Sequence, residues 1–343
     1  MSRIFVSLMG AAALAALSFA QAAAAGSPSM AKMQKSGVLV CGVIVEPDDW
    51  NRAERHGDVS DFSQEICKAV SAAALPGAPH VEVRQFAGEE DGLEALRRNQ
   101  ADLVVGVTPG LSTAMAYGVQ FGPTVFYDGQ GFLLPKGGGV HSVAELAGHT
   151  VCTIGGAEAE DLLIAEMKRR NVAFLPFSQS EQGEMDSALV GGHCFAESGD
   201  LTRLAFSRMQ FHSMRSDFTL LPQTLSIDPI AVATRNDDPR FAAIVAGTVN
   251  ALIEAEALGI TKTNVAELAK DDHPLVRRLV GTDRAVGEAL GLSPDWAVRA
   301  IATVGNYGEI YDHTVGEHSE MNMPRGLNAL WSRGGLLHPE PVR

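Results

Sequence analysis

The fold is decided by the apolar sequence GVLVCGVIV at residues 37–45 and by the pattern that follows it. A continuous run of β-branched and aliphatic residues predicts a strand that is buried on both faces, as in a parallel sheet. Residues 61–75 follow with apolar side chains four residues apart, which predicts a helix. The sequence ADLVVGV at residues 101–107 predicts a second buried strand. The chain therefore begins as an α/β fold built from strand–helix–strand units.

The same pattern starts again after the three glycines at residues 137–139. Strands are predicted at residues 150–154 and 192–197, and helices at residues 158–170 and 185–191. Two blocks of similar order predict two α/β lobes with mostly parallel sheets.

Two extended segments, residues 131–134 and 229–234, are predicted to cross between the lobes as a hinge, with a ligand cleft beside them. Helices are then expected at residues 241–258, 264–270 and 295–310. The predicted division is a leader at 1–25, a discontinuous first lobe at 26–131 plus 230–343 with a helical C-terminal extension, and a second lobe at 132–229.

The N-terminal residues predict export. An early Arg3 precedes an apolar stretch, and Ala23-Ala24-Ala25 supplies the small residues that a signal peptidase accepts. We therefore expect residues 1–25 to be a cleaved signal peptide and the mature chain to be a soluble periplasmic protein.

The four cysteines fit this compartment. Cys41, Cys67, Cys152 and Cys194 form no CxxC pair, and an even number in an exported chain predicts disulfides rather than metal ligands. Pairing within each half, Cys41 with Cys67 and Cys152 with Cys194, is the expected arrangement. Four buried free thiols are the alternative.

Charge and motifs exclude several classes of function. The formal net charge is −14 and no basic stripe offsets it, which argues against a nucleic-acid partner. The spacings of a GxSxG elbow, an HExxH zinc site, a P-loop and an EF-hand are all absent, and the ten histidines show no metal-ligand spacing. The sequence thus predicts neither a catalytic centre nor a metal or cofactor.

A resemblance to a known family extends over the mature chain and is densest in its last third. The matching segments are YDGQGF at 127–132, AEALGIT at 255–261, RRL at 277–279, GEALGL at 287–292, VGNYGEI at 304–310, RGLNALW at 325–331, GGL at 334–336 and PVR at 341–343. In these the chain resembles the general L-amino-acid-binding periplasmic proteins of polar amino-acid ABC importers, within family 3 of the bacterial extracellular solute-binding proteins. The resemblance implies a type II periplasmic-binding-protein fold that binds a small polar solute.

The resemblance also implies a pocket in which an arginine binds the α-carboxylate and an aspartate binds the α-ammonium. Asp200 matches the aspartate; capping of a helix at residues 201–206 is the less favoured alternative. The loop that would carry the arginine has none, because residues 107–118 read VTPGLSTAMAYG. Thr108, Ser112 and Thr113 are its candidate ligand-binding residues, and Thr113 stands where the arginine is expected.

Three further residues are candidates for ligand contact. Gly156 and Glu158 lie in GGAE at residues 155–158, where the resemblance implies threonine hydroxyls. Glu158 also suits the first turn of a helix, where an acid is stabilising. Trp50 follows the first strand and could stack on a ligand or lie on the surface.

Three functions remain open on the sequence. The first is a monomeric solute-binding component that presents a small polar solute to an ABC permease in the inner membrane. The second is a periplasmic sensor or accessory binding protein that has lost ordinary amino-acid binding. The third is an enzyme similar to periplasmic dehydratases, for which Glu158 or Glu197 would be the candidate acid. The pattern favours the first.

Overall fold

The computed structural model describes residues 26–45, 59–77 and 80–341, and the proposed signal peptide and Trp50 lie outside these ranges. The apolar runs near the N-terminus form the centre of a five-stranded sheet, in the order β2-β1-β3-β10-β4. Its strands are β1 (Val38–Ile44), β2 (His80–Phe86), β3 (Leu103–Val107), β4 (Val119–Asp128) and β10 (Asp228–Arg235). β1 pairs in parallel with β2 and β3, and β10 runs antiparallel between β3 and β4.

The second block of the chain forms another five-stranded sheet, in the order β7-β6-β8-β5-β9. Its strands are β5 (Gln130–Pro135), β6 (Thr150–Ile154), β7 (Leu175–Gln179), β8 (Ala196–Asp200) and β9 (Phe218–Leu220). In each sheet one strand opposes the other four, and that strand is a crossing strand, β10 or β5. The predicted two-lobed α/β fold with mostly parallel sheets is therefore confirmed.

Helices cover the sheets and form the C-terminal extension. Twelve α-helices lie in the described residues: α1 (Pro28–Ser36), α2 (Val59–Ala74), α3 (Glu89–Arg97), α4 (Leu111–Tyr117), α5 (Glu158–Arg169), α6 (Gln182–Val190), α7 (Leu201–Gln210), α8 (Pro239–Ala257), α9 (Pro274–Leu279), α10 (Ala285–Leu290), α11 (Trp296–Val304) and α12 (Tyr307–Thr314). Residues 143–146 and 265–270 form 3₁₀ turns. Among the described helices, none has both the length and the apolar character needed to cross a bilayer.

The two expected disulfides are present. Cys41 of β1 is bonded to Cys67 of α2, and Cys152 of β6 is bonded to Cys194 in the turn before β8. All four cysteines are buried. Each bond fastens a helix or turn to the central strands of its own sheet, which confirms the pairing within each half.

The single helix predicted at residues 295–310 is wrong, because the chain forms two helices there. Gly305 has a φ of +89°, which favours glycine and ends α11. The Asn306 side chain then accepts a hydrogen bond from the Glu309 amide, and the Glu309 side chain accepts one from the Asn306 amide, so a capping box starts α12. This break turns Tyr307 toward β4, where its hydroxyl donates to the Val125 carbonyl at 2.9 Å.

One further predicted strand differs from the structure, and one strand of the structure was not predicted. The strand expected at residues 192–197 starts four residues later, because Gly192 has a φ of +71° and the chain turns there before β8. The long strand β4 was not predicted. The second sheet begins with β5 at Gln130 and the first resumes with β10 at Asp228; the lobe boundaries at 131/132 and 229/230 stay a prediction.

Candidate functional site

A cavity of about 340 Å³ lies between the two sheets, beside the strands that cross from one to the other. The carboxyl ends of β1, β3 and β4 supply one wall and the first turns of α7 supply the opposite wall. Its lining residues are Ile44, Val45, Ser60, Ser63, Glu89, Gly106, Phe126, Asp128, Asp200, Thr202, Arg203, Phe206, Ile230 and Met321.

The crossing itself is closely packed at Gly129. A Cβ atom at this position would lie 2.4 Å from the Ser226 carbonyl oxygen, so only glycine allows the two crossing segments to approach this closely. The Ser226 hydroxyl accepts a hydrogen bond from the Gln130 amide and donates one to Asp228, each at 2.9 Å. The cavity therefore has a hinge at its base in which both crossings are joined.

Asp128 ends β4 at this hinge and is 7% exposed. Its carboxylate accepts hydrogen bonds from the Gly129 amide at 2.8 Å and from the hydroxyl and amide of Thr202 in α7. Burial raises the pKa of Asp128 to about 6, and the neighbouring Asp200 carboxylate adds to that rise, against the bonds from Thr202 and Gly129. Asp128 thus joins the first sheet to the helix of the second and contributes a poorly solvated carboxylate to the cavity.

Helix α7 presents three different chemical groups to the cavity. Asp200, Arg203 and Phe206 are spaced by three residues, so they share one face of the helix. Asp200 occupies the N-cap position, yet its side chain makes no capping hydrogen bond to the helix. The face offers a carboxylate, a guanidinium and a phenyl ring in sequence.

Of the predicted ligand-binding residues that the structure describes, only Asp200 lines this cavity. The Thr108 hydroxyl and amide both donate to Glu89, at 2.8 and 3.0 Å, and Glu89 is the residue that faces the cavity. Ser112 is exposed and Thr113 half-buried, both in the first turn of α4 and outside the lining.

The two second-lobe candidates also lie outside the lining. Gly156 has a φ of +72° in the turn after β6, and its amide donates to Glu160 at 2.8 Å. Glu158 is exposed in the first turn of α5. Glu197, considered as an acid for an enzyme, is fully buried within the second lobe and accepts a hydrogen bond from the Gln182 side chain.

Sequence reasoning missed Asp128, Arg203 and Phe206. Arg203 and Phe206 carried a signal, because they follow Asp200 by three and six residues along a predicted helix, which places all three side chains on one face. Asp128 carried no such signal, because its part in the cavity arises from the crossing of strands that are distant in sequence.

Comparison with known proteins places this chain among binding proteins. It is 33% identical over 339 residues, 98% of this chain and 99% of the relative, to the general L-amino acid-binding periplasmic protein AapJ of Rhizobium johnstonii. It is 33% identical over 336 residues, 97% and 98% of the two chains, to the glutamate/glutamine/aspartate/asparagine-binding protein BztA of Rhodobacter capsulatus. No protein-family profile matches the chain.

A solved structure is similar over nearly the same length. This is an ABC transporter periplasmic binding protein from Brucella ovis with glutathione bound, 30% identical with a TM-score of 0.71, covering 93% of this chain and 100% of that one. The similarity therefore covers nearly the whole chain.

Proposed function

Because the chain belongs to the amino-acid-binding periplasmic proteins of ABC transporters, we propose that it binds a small ammonium-bearing zwitterion in the cavity between its lobes. The solute would be an amino acid or a small peptide-like derivative. The protein would present it to a permease in the inner membrane.

The observation that carries this proposal is the charge of the cavity. Asp128, Asp200 and Glu89 bring three carboxyl groups to the described lining, whereas Arg203 brings the one guanidinium among those residues. An ammonium group leaves water at a large cost unless carboxylates receive it, and here two carboxylates flank the base of the cleft. A solute with an ammonium group is therefore favoured over a plain organic acid.

The similar proteins agree with this class of ligand. One relative is named for general L-amino acids, another for glutamate, glutamine, aspartate and asparagine, and the solved relative holds glutathione. These solutes share an α-ammonium and an α-carboxylate. That shared group is what we assign to the cavity of this protein, and a panel of solutes identifies the rest of the ligand.

Delivery follows from the hinge. Both crossing segments meet at Gly129 and Ser226, so a rotation there would bring the α7 wall against the β1–β3 wall and enclose the solute. We propose that the chain acts as a monomer in the periplasm after removal of residues 1–25, without converting its ligand. The closed form would be the one that a permease recognises.

A thermal-shift panel with matched analogues tests the proposal. L-leucine, L-glutamine, L-lysine and glutathione are compared with 4-methylpentanoate and succinate, which carry no ammonium group. A ligand at 100 times its Kd stabilises the folded protein by about 2.7 kcal/mol, enough for a clear rise in Tm. We expect at least one zwitterion to raise the Tm and the analogues to leave it unchanged. A rise with succinate, or no rise with any zwitterion, would contradict the proposal and favour an accessory role.

A further inference from the structure

Within the described residues, the first lobe contributes no cationic side chain to the lining of the cavity. The β3–α4 loop, where the family's arginine is expected, has Thr113 in that position, and neither Thr113 nor Ser112 lines the cavity. The described first-lobe lining consists of apolar groups such as Ile44 and Phe126, hydroxyls and carboxylates. Among these described residues, a ligand carboxylate would meet no positive charge.

Arg203 brings a guanidinium from the opposite wall. It is half-buried in the first turn of α7 and is the one cationic side chain in the described lining of the cavity. A cation in the first turn of a helix opposes the helix dipole, and the first turn of α7 contains no acidic residue. The position is thus unfavourable for the helix itself, which favours a role toward the cavity.

The neighbours of Arg203 on α7 match the other parts of an amino acid. Asp200 lies one turn before it and Phe206 one turn after it on the same face. An α-carbon placed over this face could direct its ammonium to Asp200, its carboxylate to Arg203 and an apolar side chain toward Phe206. A guanidinium holds a carboxylate with two parallel hydrogen bonds, so it also fixes orientation.

We infer that Arg203 binds the carboxylate of the ligand, so that helix α7 of the second lobe holds both charged groups of the zwitterion. The inference rests on the proposed function and adds its mechanism. The solute docks on the second lobe in the open protein, and the first lobe then covers it with the apolar wall and with Glu89.

The test compares Arg203→Gln with the wild-type protein on paired probes that differ in their carboxylate. The pairs are L-lysine with cadaverine, L-phenylalanine with phenethylamine, and glutathione with its diethyl ester, and affinity is measured by titration calorimetry. Two hydrogen bonds between charged groups support a loss of about 100-fold for the acid of any pair that binds. The amine and the ester lack the free carboxylate that Arg203 is inferred to bind. The Kd of each should therefore change less than about threefold between the two proteins, which is well under 1.4 kcal/mol.

Two variants separate binding from folding. Arg203→Lys keeps the charge but cannot form two parallel hydrogen bonds to a carboxylate. We expect its affinity for the acid of each pair to lie between that of the wild type and that of Arg203→Gln. Arg215→Gln removes an exposed second-lobe guanidinium outside the cavity and should leave all affinities unchanged. Tm values without ligand show whether each variant is folded.

The outcomes distinguish this inference from the proposed function. If no zwitterion binds the wild-type protein, the proposed function is wrong and the inference falls with it. If a zwitterion binds and Arg203→Gln, folded, keeps its affinity, the inference alone is wrong. An equal loss for the acid and its amine or ester would also overturn it, because the guanidinium would then act on something other than the carboxylate.

Discussion

Replacing Glu197 with glutamine should remove a pH dependence of the free energy of unfolding that arises from this buried carboxyl group in the second lobe. Glu197 lies in β8 with no solvent exposure, and its carboxyl accepts a hydrogen bond from Gln182, which also donates to Asp186 at 2.7 Å. Burial raises the pKa of Glu197 to about 9, and the negative charge of Asp186 adds to the rise, against Gln182 and the Arg203 guanidinium.

The sign and size follow from proton linkage. The folded protein keeps a proton on Glu197 that the unfolded chain releases above its ordinary pKa of 4.5. The contribution of this proton to the free energy of unfolding is therefore fully present below pH 4.5 and is lost as the pH rises toward about 9. At about 1.36 kcal/mol per pH unit, the loss between pH 6.5 and pH 8.5 is about 2.5 kcal/mol. Asp128, with a pKa of about 6, completes most of its own loss below this window.

The assay is urea unfolding followed by circular dichroism at pH 6.5, 7.5 and 8.5. The free energy of unfolding of the wild-type protein should fall by about 2.5 kcal/mol across the series. That of Glu197→Gln should fall far less, because glutamine keeps the shape and hydrogen bonds of the neutral acid but does not titrate. Glu94→Gln is the control. The pKa of that half-buried acid is lowered to about 2, chiefly by its hydrogen bond from Arg97, so the residue does not titrate here. Equal slopes for the wild type and Glu197→Gln would refute the reasoning.

The remaining predictions concern the covalent and steric framework. Replacing Cys152 and Cys194 together by serine should cost about 4 kcal/mol, because the bond closes a loop with a sequence separation of 42, and the loss is measured by urea unfolding; an unchanged midpoint would contradict this. Gly129→Ala should lower the Tm by several degrees, because its Cβ would contact the Ser226 carbonyl at 2.4 Å, whereas Gly137→Ala, with open space around it, should not. Equal Tm values for the two glycine variants would contradict this, because they would show that the segments at Gly129 and Ser226 can move apart without a loss of stability.

The apolar runs made the sheets predictable, since β1 and β6 lie within a residue of their expected bounds. Those strands are buried on both faces, so composition alone identifies them. The break between α11 and α12 was missed, because Asn306 and Glu309 form a capping box inside a continuous helical pattern. Strand-end and helix-cap signals are short, and the long apolar pattern around them outweighs them.

The site was less predictable than the fold. Asp200 was found because it matched a family position, but Thr108, Ser112 and Thr113 were chosen from their place after a strand. In the structure Thr108 donates a hydrogen bond to Glu89, and none of these three residues lines the cavity. Which side chains face a cleft depends on how two lobes meet, and no local pattern in the sequence encodes that.

The most direct test of the central claim is titration calorimetry of the strongest zwitterion from the panel against the wild-type protein and Asp200→Asn. The claim is that an ammonium group is received by the carboxylates at the base of the cleft. We expect one ligand per chain and a loss of about 30- to 100-fold for Asp200→Asn, since removing a partner of a desolvated charge pair costs at least 2 kcal/mol. Asp217→Asn, an exposed second-lobe acid outside the cavity, should bind as the wild type does. Equal affinity for the wild type and a folded Asp200→Asn would contradict the claim.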